Sequence, residues 1–242
     1  MALMEIAGGC GAISTIMSVH NDVGCMPILS FGTSEQKDRF LKPMARGEQI
    51  GCFCLTEPEA GSDAASIRTR ARRDGDSYVI SGTKQFITSG RNGHIAVIFA
   101  VTDPSVGKKG ISAFIVPTDT PGFIVARTEA KMGQHASDTC QLTFKDMRVP
   151  LSQRLGEEGE GLRIALANLE GGRIGIAAQS VGMARSAYEY AVSYAKERRQ
   201  FGKAIIEQQA VAFRLADMAT RSRPLNNWSC TPLVCAMRSV RA

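Results

Sequence analysis

Several features are scarce in this sequence, and each shortage excludes a class of protein. No apolar run among the 242 residues reaches the roughly 20 residues that a membrane-spanning helix needs. The three histidines stand far apart, and the C-x-C of Cys52 and Cys54 has no second pair at zinc-ligand spacing. No basic segment precedes the apolar N-terminus, so no signal peptide is predicted. We therefore expect no membrane span, no zinc site, and free thiols in a reducing compartment.

Charge and composition are those of an ordinary globular protein, with 44% hydrophobic and 21% charged residues. The net charge of +6 and a cluster of arginines from Arg68 to Arg73 could indicate nucleic-acid binding. These arginines alternate with Thr69 and Ala71, which is the pattern of one solvated strand face. Aromatic residues are not interleaved with them, so nucleic acid is not expected as a partner.

The first 50 residues are predicted to be helical. Met1 to about Asn21 is rich in Ala, Ile and Met and indicates a buried helix, weakened by glycines. Thr33 and Gln36 have the spacing of a capping box at the start of another helix. Pro43 and Gly47 are expected to end that helix.

From Gly51 to about Pro150 the pattern changes to short β-rich runs separated by turn signals, which favours a compact β barrel or sandwich. Asp74-Gly75 is a strong hairpin signal, and Gly82 and Gly110 indicate further turns. The predicted strands are Cys52–Thr56, Ile67–Arg72, Tyr78–Ser81, Lys84–Thr88, Ile95–Val101, Ile111–Val116, Gly122–Arg127 and Gln141–Val149.

Helical periodicity returns after an acidic segment, residues 151–160, which we interpret as a linker. A long helix is predicted from Gly161 to about Arg198, with Leu162, Ala165, Leu166 and Leu169 on one buried face and an interruption at Gly171-Gly172. A turn over Arg198–Gly202 and a helix from about Glu207 to Arg221 follow. Residues 222–242 have neither helical nor strand periodicity.

Two short segments stand out within the β-rich region. Leu55 to Asp63 reads L-T-E-P-E-A-G-S-D directly after a predicted strand, and its hydroxyls and free amides suit phosphate, ribityl or ring-carbonyl oxygens. About two dozen residues later, Phe86 to Gly90 reads F-I-T-S-G. Taken singly, the first segment is as well explained by a polar turn between strands, and Phe86 by a place in the sheet core.

Together, T-E-P-x-A-G-S-D and F-I-T-S-G closely resemble the acyl-CoA dehydrogenase family, and the resemblance runs from about Met1 to Arg221. It implies an α+β fold: a partial N-terminal helical domain (1–50), a central β domain (51–152) and a partial C-terminal helical bundle (153–221). The tail, 222–242, is unlike the family. The resemblance predicts a chain truncated at both ends, whereas family members are usually homotetramers.

The resemblance also implies FAD as the cofactor and acyl-CoA as the substrate. In the family, a carboxylate removes the proton alpha to the thioester, a hydride passes from the beta carbon to the flavin, and an electron-transfer flavoprotein accepts the electrons. Phe86 stands where the family often has Trp, so the stacking surface is smaller. The residues expected to contact FAD are Phe53, Leu55, Thr56, Gly61, Ser62, Phe86, Ile87 and Thr88, together with Arg198, Phe201 and Gln209 in the R-x-x-F-G turn and after it, which in the family reach a neighbouring subunit's flavin.

By the same resemblance, Ser62 and the segment of Glu170, Gly171, Gly172 and Arg173 are expected to contact acyl-CoA. A few members carry the base just before the arginine that matches Arg173, but that residue is Gly172 here. No catalytic carboxylate is therefore identified. The alternatives are a non-catalytic remnant that lacks the base-bearing helices, or a related flavin-dependent oxidase. A bacterial cytoplasmic or mitochondrial-matrix location is expected, without a membrane partner.

Overall fold

The computed structural model describes residues 1–221, so the expectation for the tail at 222–242 lies outside the described residues. The described chain divides into two compact units. One comprises Ile16–Gly172, and the other comprises Met1–Thr15 together with the residues from Arg173 onward. Along the chain, helices come before and after the strands of one large sheet. This arrangement confirms the α+β class.

The N-terminal region is helical, as predicted, but it is more divided than the sequence suggested. The predicted helix over Met1–Asn21 breaks at Cys10, whose backbone is extended. The capping box is confirmed, because Thr33 Oγ1 accepts from the Gln36 N–H and Gln36 Oε1 accepts from the Thr33 N–H. The segments are α1 (Ala2–Gly9), α2 (Gly11–Ser18), a π-helical turn (Val19–Cys25), α3 (Met26–Phe31), α4 (Ser34–Gln36), a second π-helical turn (Lys37–Leu41) and α5 (Lys42–Ala45).

Pro43 does not end the helix that the capping box begins. Helical residues continue without a gap from Ser34 through Pro43 to Ala45. The chain leaves the helix at Arg46 and turns at Gly47, whose φ of 74° lies in the left-handed region that glycine tolerates.

The central region forms one eight-stranded sheet. Its order is β6-β7-β3-β2-β4-β5-β8, and β1 pairs in parallel with β4. The strands are β1 (Gly51–Cys54), β2 (Arg70–Asp74), β3 (Ser77–Thr88), β4 (Ile95–Val101), β5 (Ile111–Pro117), β6 (Phe123–Thr128), β7 (Thr139–Pro150) and β8 (Arg154–Leu155). All eight predicted strands fall within these elements or beside them.

The large sheet has a hydrophobic core on each of its two faces. All seven residues of β4 are buried, because alternate side chains enter the two cores. On one face Val97 and Phe99 pack with helical residues such as Ile28. On the other face Ile98 lies in a core shared by β3, β5 and β7, where the rings of Tyr78 and Phe114 are 5.0 Å apart. The sheet therefore curls over itself, as a barrel or sandwich requires.

Two predicted strands are one strand in the structure. Tyr78–Ser81 and Lys84–Thr88 join in β3, and the turn predicted at Gly82 is wrong. The pairing with β7 shifts register around Gly82, which has a φ of 154°. A Cβ at this position would lie 2.5 Å from Thr69 Oγ1. The glycine therefore lies inside a strand, at a point where the chain at Thr69 comes close to it. A sequence pattern does not distinguish such a glycine from one in a turn.

The acidic segment at 151–160 is not a free linker. Leu151–Gln153 is a short 3-10 turn, and β8 then pairs with β5 at the edge of the sheet. Glu158 Oε2 accepts a hydrogen bond from the Tyr78 hydroxyl at 3.0 Å, and Arg154 pairs with Glu157 at 2.9 Å. The Glu158 carboxylate therefore attaches this segment to the β domain.

The long helix α6 spans Gly161–Glu197 without a break, so the interruption predicted at Gly171-Gly172 is wrong. Ile164 and Ala165 enter the core of the larger unit, with Leu162 and Leu169 packed beside them. Leu166, expected on the same face, is exposed. A glycine destabilises a helix by only about 1 kcal/mol relative to alanine. A helix of 37 residues can therefore continue through the Gly171-Gly172 pair.

In the smaller unit α1 packs against the second part of α6. Met4, Ala178 and Val181 form a small core, and the absence of a side chain at Gly182 lets the Met4 carbonyl approach. Arg185 holds the Glu5 carboxylate through two hydrogen bonds of 2.9 and 2.7 Å.

After α6 comes a two-stranded hairpin, and then a helix over residues 209–221. The strands β9 (Arg199–Gln200) and β10 (Lys203–Ala204) are antiparallel, and Phe201 and Gly202 form the turn with φ values of 52° and 76°. Positive φ at both central residues is the geometry of a type I′ turn. The predicted turn over Arg198–Gly202 is confirmed. In the described chain, no helix is both long enough and apolar enough to cross a membrane.

Candidate flavin site

The structure brings the two sequence motifs side by side in the β domain. The loop that begins at Leu55 leaves the end of β1, and the F-I-T-S-G segment ends β3. The Gln85 N–H donates to the Thr56 carbonyl at 2.8 Å. The Lys84 ammonium donates to the Leu55 carbonyl at 3.0 Å. Residues about thirty positions apart therefore share one edge of the domain.

Phe86 is held in a strained and exposed conformation. The pairing of β3 with β7 shifts register between Lys84 and Ile87, so Phe86 lies in a bulge. Its φ is 59°, and 64% of its surface is exposed. An aromatic residue in the left-handed region is a genuine outlier, and such strain concentrates at functional sites. The bulge aims a large apolar ring at solvent, which suits a planar ligand that stacks on it.

Polar groups within the two motifs are available to a ligand. In the described part of the chain, the side-chain hydroxyls of Thr56, Ser62 and Thr88 make no hydrogen bond. A Cβ built on Gly61 would meet no atom within 4 Å, and the residue does not need a positive φ. The fold itself therefore does not require glycine there, whereas close approach by a ligand would. These observations fit a flavin.

The remaining predicted flavin residues are placed differently. Leu55 and Ile87 are buried in the two cores, so only their main-chain groups can face a ligand. Phe53 is half-buried, with its ring 4.9 Å from that of Phe99.

The predicted acyl-CoA segment lies on α6. Glu170, Gly171 and Arg173 are exposed, and Gly172 is half-buried. They occupy consecutive positions in the helix, so Glu170 and Arg173 lie on the same side of it.

Three of the residues predicted to contact flavin lie in the smaller unit. Arg198 follows α6 directly, and its N–H donates to the Tyr194 carbonyl. Phe201 is 96% exposed at the tip of the hairpin, and Gln209 is exposed at the start of the last described helix.

Sequence reasoning missed a buried ion pair between the two motifs. Lys84 Nζ lies 2.8 Å from Glu57 Oε1, and the two side chains are 0% and 6% exposed. Burial pushes the pKa of Glu57 upward, but the Lys84 ammonium and the hydrogen bonds from Thr69 and Arg68 outweigh it and hold that pKa below its ordinary 4.5. Burial lowers the pKa of Lys84, opposed by the Glu57 carboxylate. The one available signal was a lysine inside a predicted strand.

Two further polar networks brace the Phe86 segment. Behind it, Gln85 Nε2 donates to Glu129 Oε1 at 2.5 Å, and Gln141 Nε2 donates to Gln85 Oε1 at 2.8 Å. A hydrogen bond from Arg127 lowers the pKa of Glu129.

Beyond Phe86, Asp138 holds the glycine turn. Its carboxylate accepts from the Arg91 N–H at 2.8 Å and from Asn92 Nδ2 at 3.1 Å, and its carbonyl accepts from the Ser89 N–H. No motif marked these residues, since each contacts a segment distant in the sequence.

Three other features of the sequence can be located in the structure: the cysteines, the possible metal ligands and the cluster of arginines. Cys10, Cys25, Cys52, Cys54 and Cys140 carry free thiols, as predicted for the cysteines that the structure describes. Within residues 1–221, no cluster of three or more His, Cys, Asp or Glu side chains is arranged to hold a metal ion. In β2, Arg70 and Arg72 are exposed on one face and Ala71 is buried on the other, while Arg73, on the face of Ala71, is exposed near the end of the strand.

Comparison with known proteins identifies the family. Three family models match: "Acyl-CoA dehydrogenase, N-terminal domain" over residues 1–48, "Acyl-CoA dehydrogenase, middle domain" over 52–147, and "Acyl-CoA dehydrogenase, C-terminal domain" over 159–231. The chain belongs to the acyl-CoA dehydrogenase family.

Individual relatives agree with this assignment. An acyl-CoA dehydrogenase of Bacillus subtilis is 49% identical over 222 residues, which cover 92% of this chain and 59% of the relative. The structure of butyryl-CoA dehydrogenase from Megasphaera elsdenii matches with a TM-score of 0.93 and 43% identity, covering 95% of this chain and 60% of the other. A glutaryl-CoA dehydrogenase from Mycobacterium smegmatis in complex with FADH2 matches with a TM-score of 0.88 and 36% identity, covering 94% and 57%. This acyl-CoA dehydrogenase homologue thus spans less than two thirds of the relatives it matches.

Proposed function

We propose that this chain is the flavin-binding part of an FAD-dependent acyl-CoA dehydrogenase that desaturates acyl-CoA thioesters between the alpha and beta carbons. The observation that carries the proposal is the Phe86 bulge: an exposed aromatic ring at a φ of 59°, beside the unpaired hydroxyls of Thr56 and Thr88. A relative whose structure contains FADH2 supports the choice of flavin. When bound, FAD would accept the hydride that leaves the beta carbon of the substrate.

The chain's own residues would hold and orient the cofactor. Phe86 would stack on the flavin ring system, and the Thr88 hydroxyl would donate to it. Thr56, Ser62 and the open space at Gly61 would receive the polar groups of the cofactor. Phe53, Leu55 and Ile87 would shape the site from behind, since their side chains are partly or fully buried.

The guanidinium of Arg198 suits a pyrophosphate through its planar, charged donors. With Phe201 and Gln209, it would contact the flavin of a second subunit. The functional assembly would therefore be a homo-oligomer.

The substrate would be an acyl-CoA, held by Ser62 and by the segment from Glu170 to Arg173 on α6. An electron-transfer flavoprotein would be the electron acceptor, and the bacterial cytoplasm or the mitochondrial matrix stays the predicted location. A short acyl chain is the first candidate, because one structural relative is a butyryl-CoA dehydrogenase.

The described residues favour a second candidate function, that of a flavin-binding but non-catalytic chain. A catalytic base needs a pKa near the working pH. Glu57 lies in the first motif, and Glu129 is hydrogen-bonded to Gln85 next to the second, but each carboxylate is paired with a basic side chain and has a lowered pKa. Gly172 occupies the place next to Arg173 where a few family members carry the base.

The test is a flavin titration followed by substrate addition. The purified 242-residue chain is titrated with FAD, and bound FAD is counted per chain. The complex is then mixed with butyryl-CoA and octanoyl-CoA without oxygen. Stoichiometric FAD that bleaches with either thioester establishes the dehydrogenase.

The other outcomes separate the alternatives. Stoichiometric FAD without bleaching supports the non-catalytic candidate. Failure to bind FAD contradicts both functions. A parallel reaction in air, without an added electron acceptor, tests the third alternative: turnover that consumes oxygen and yields hydrogen peroxide identifies a flavin-dependent oxidase.

A further inference from the structure

Burying the charged pair of Lys84 and Glu57 inside a β domain is energetically unfavourable before their mutual attraction is counted. Two charges removed from water lose several kcal/mol of solvation each, and a well-packed apolar pair is often as stable. Here both side chains are almost completely buried, and Lys84 Nζ donates to Glu57 Oε1 at 2.8 Å and to the Leu55 carbonyl at 3.0 Å. Its directed hydrogen bonds give it something that an apolar pair lacks, namely a defined geometry.

Glu57 closes the first motif into a compact loop. Its Oε2 accepts from the Arg68 N–H at 2.6 Å, and its Oε1 accepts from the Thr69 N–H at 3.0 Å. The two ends of the segment from 57 to 68 are thereby joined by one carboxylate. Gly61 and Ser62 lie inside this closed loop, at exposed positions.

Lys84 connects the closed loop to the second motif. It lies two residues before Phe86, at the point where the register shift begins. Its neighbour Gln85 donates its N–H to the Thr56 carbonyl at 2.8 Å. The ammonium thus binds the loop from inside the domain, while the bulge presents Phe86 on the outside.

We infer that the Lys84–Glu57 pair is a positioning device, which fixes the 55–69 loop against β3 so that its hydroxyls and Phe86 form one preorganised flavin surface. Neither residue touches the flavin in this proposal. The inference rests on the proposed flavin site. It differs from a purely stabilising role because it predicts that flavin affinity and fold stability can be separated.

The experiment compares three chains with the wild type. Lys84→Met leaves the Glu57 carboxylate without its cation. The double variant Glu57→Gln, Lys84→Met removes both charges and keeps one side-chain oxygen, which can accept from the amide of either Arg68 or Thr69. The matched control is Glu48→Gln, which breaks the exposed Arg46–Glu48 pair. Each chain is measured for its urea unfolding midpoint, its FAD dissociation constant, its flavin absorption bands, and amide exchange without FAD.

We expect Lys84→Met to weaken FAD binding by at least about tenfold. The double variant, which no longer buries an unpaired charge, should recover part of the unfolding midpoint but keep the weakened FAD binding and show shifted flavin bands. In both variants the amides of Arg68, Thr69 and Gln85 should exchange faster, relative to those of β4, than in the wild type. The control should match the wild type throughout.

A double variant with wild-type FAD affinity would overturn the inference, as would a uniform rise in exchange that includes β4. If the wild type binds no FAD, the proposed function fails by itself. The exchange measurement still decides the positioning role, because it needs no cofactor: unchanged exchange at these three amides in Lys84→Met overturns it.

Discussion

Two regions of the molecule each hold an exposed phenylalanine at positive φ, but they are built differently. Phe86 has a φ of 59° in a bulge of β3, a 12-residue strand within the large sheet. Phe201 has a φ of 52° in the turn of a hairpin with two residues in each strand. The backbone cost is similar at both positions, on the order of 1–2 kcal/mol.

The support behind the two rings differs. Phe86 is flanked by Lys84 and Gln85, whose buried side chains anchor it to distant segments. The hairpin of Phe201 is held mainly by its own ladder and by Arg199 donating to the Gly202 carbonyl at 3.0 Å. A two-stranded ribbon alone is marginally stable. Local strain is therefore common to both regions, whereas preorganisation belongs to the Phe86 region.

The largest effect expected from this comparison is the loss of folding stability when Lys84 is replaced. Lys84→Met leaves a buried carboxylate without its cation, so the free energy of unfolding should fall by about 3–5 kcal/mol. Circular dichroism in urea measures this loss. Glu48→Gln, at an exposed pair, should change it by less than about 1 kcal/mol. Equal effects of the two variants would show that the Phe86 region has no special internal support.

The second effect is the pH dependence of the contribution from Glu57. Its pKa is lowered in the folded state, so its stabilising contribution is fully present above the ordinary value of 4.5 and is lost as the pH falls through the folded value. The excess unfolding free energy of the wild type over the double variant Glu57→Gln, Lys84→Met, in which neither position titrates, should shrink as the pH falls below 4.5. A difference that grows on acidification would contradict the charged pair.

The third effect separates the role of Phe86 in binding from its role in the fold. Phe86→Gly relieves the positive φ and removes a mostly exposed ring, so the unfolding free energy should change by less than about 1 kcal/mol. FAD affinity should fall by about tenfold or more, as expected for a lost aromatic stacking contact. The buried Phe144→Ala should cost about 3–5 kcal/mol. Unchanged FAD affinity in Phe86→Gly would remove the ring from the proposed site.

The smallest effect is expected at the hairpin. Phe201→Gly should change the unfolding free energy by less than about 1 kcal/mol, because the ring is exposed and the turn favours glycine. In a sample kept dilute enough to be monomeric by light scattering, FAD affinity should stay within about twofold of the wild type. A loss as large as that of Phe86→Gly would mean that both aromatic rings act on one flavin within one chain.

Much of the fold could be predicted because local signals and long-range contacts agree. The Asp74-Gly75 hairpin, the alternation in β2 and the capping box at Thr33 all form as the sequence indicates. The errors arise where contacts with distant segments decide. Gly82 continues β3 at a close approach to Thr69 and makes no turn, and the acidic 151–160 segment joins the sheet through β5 and Tyr78.

The candidate site could be predicted in part. The motifs indicated Thr56 and Phe86, and the structure places their segments beside one another. The motifs could not indicate that Lys84 and Glu57 form a buried pair, because a Lys and a Glu 27 residues apart are each usually solvated. Asp138 was missed for a similar reason, since the turn it binds is 46 and 47 residues away.

The sequence by itself determined the family, the α+β class, the strands and the two motifs, because these depend on residue types at short spacings. Only the tertiary structure decided that Phe86 projects from a bulge, that Leu55 and Ile87 turn inward, and that a sealed ion pair joins the motifs. The physical reason is that burial and charge pairing are properties of segments brought together by the sheet. A residue's local sequence carries little information about which partner will remove it from water.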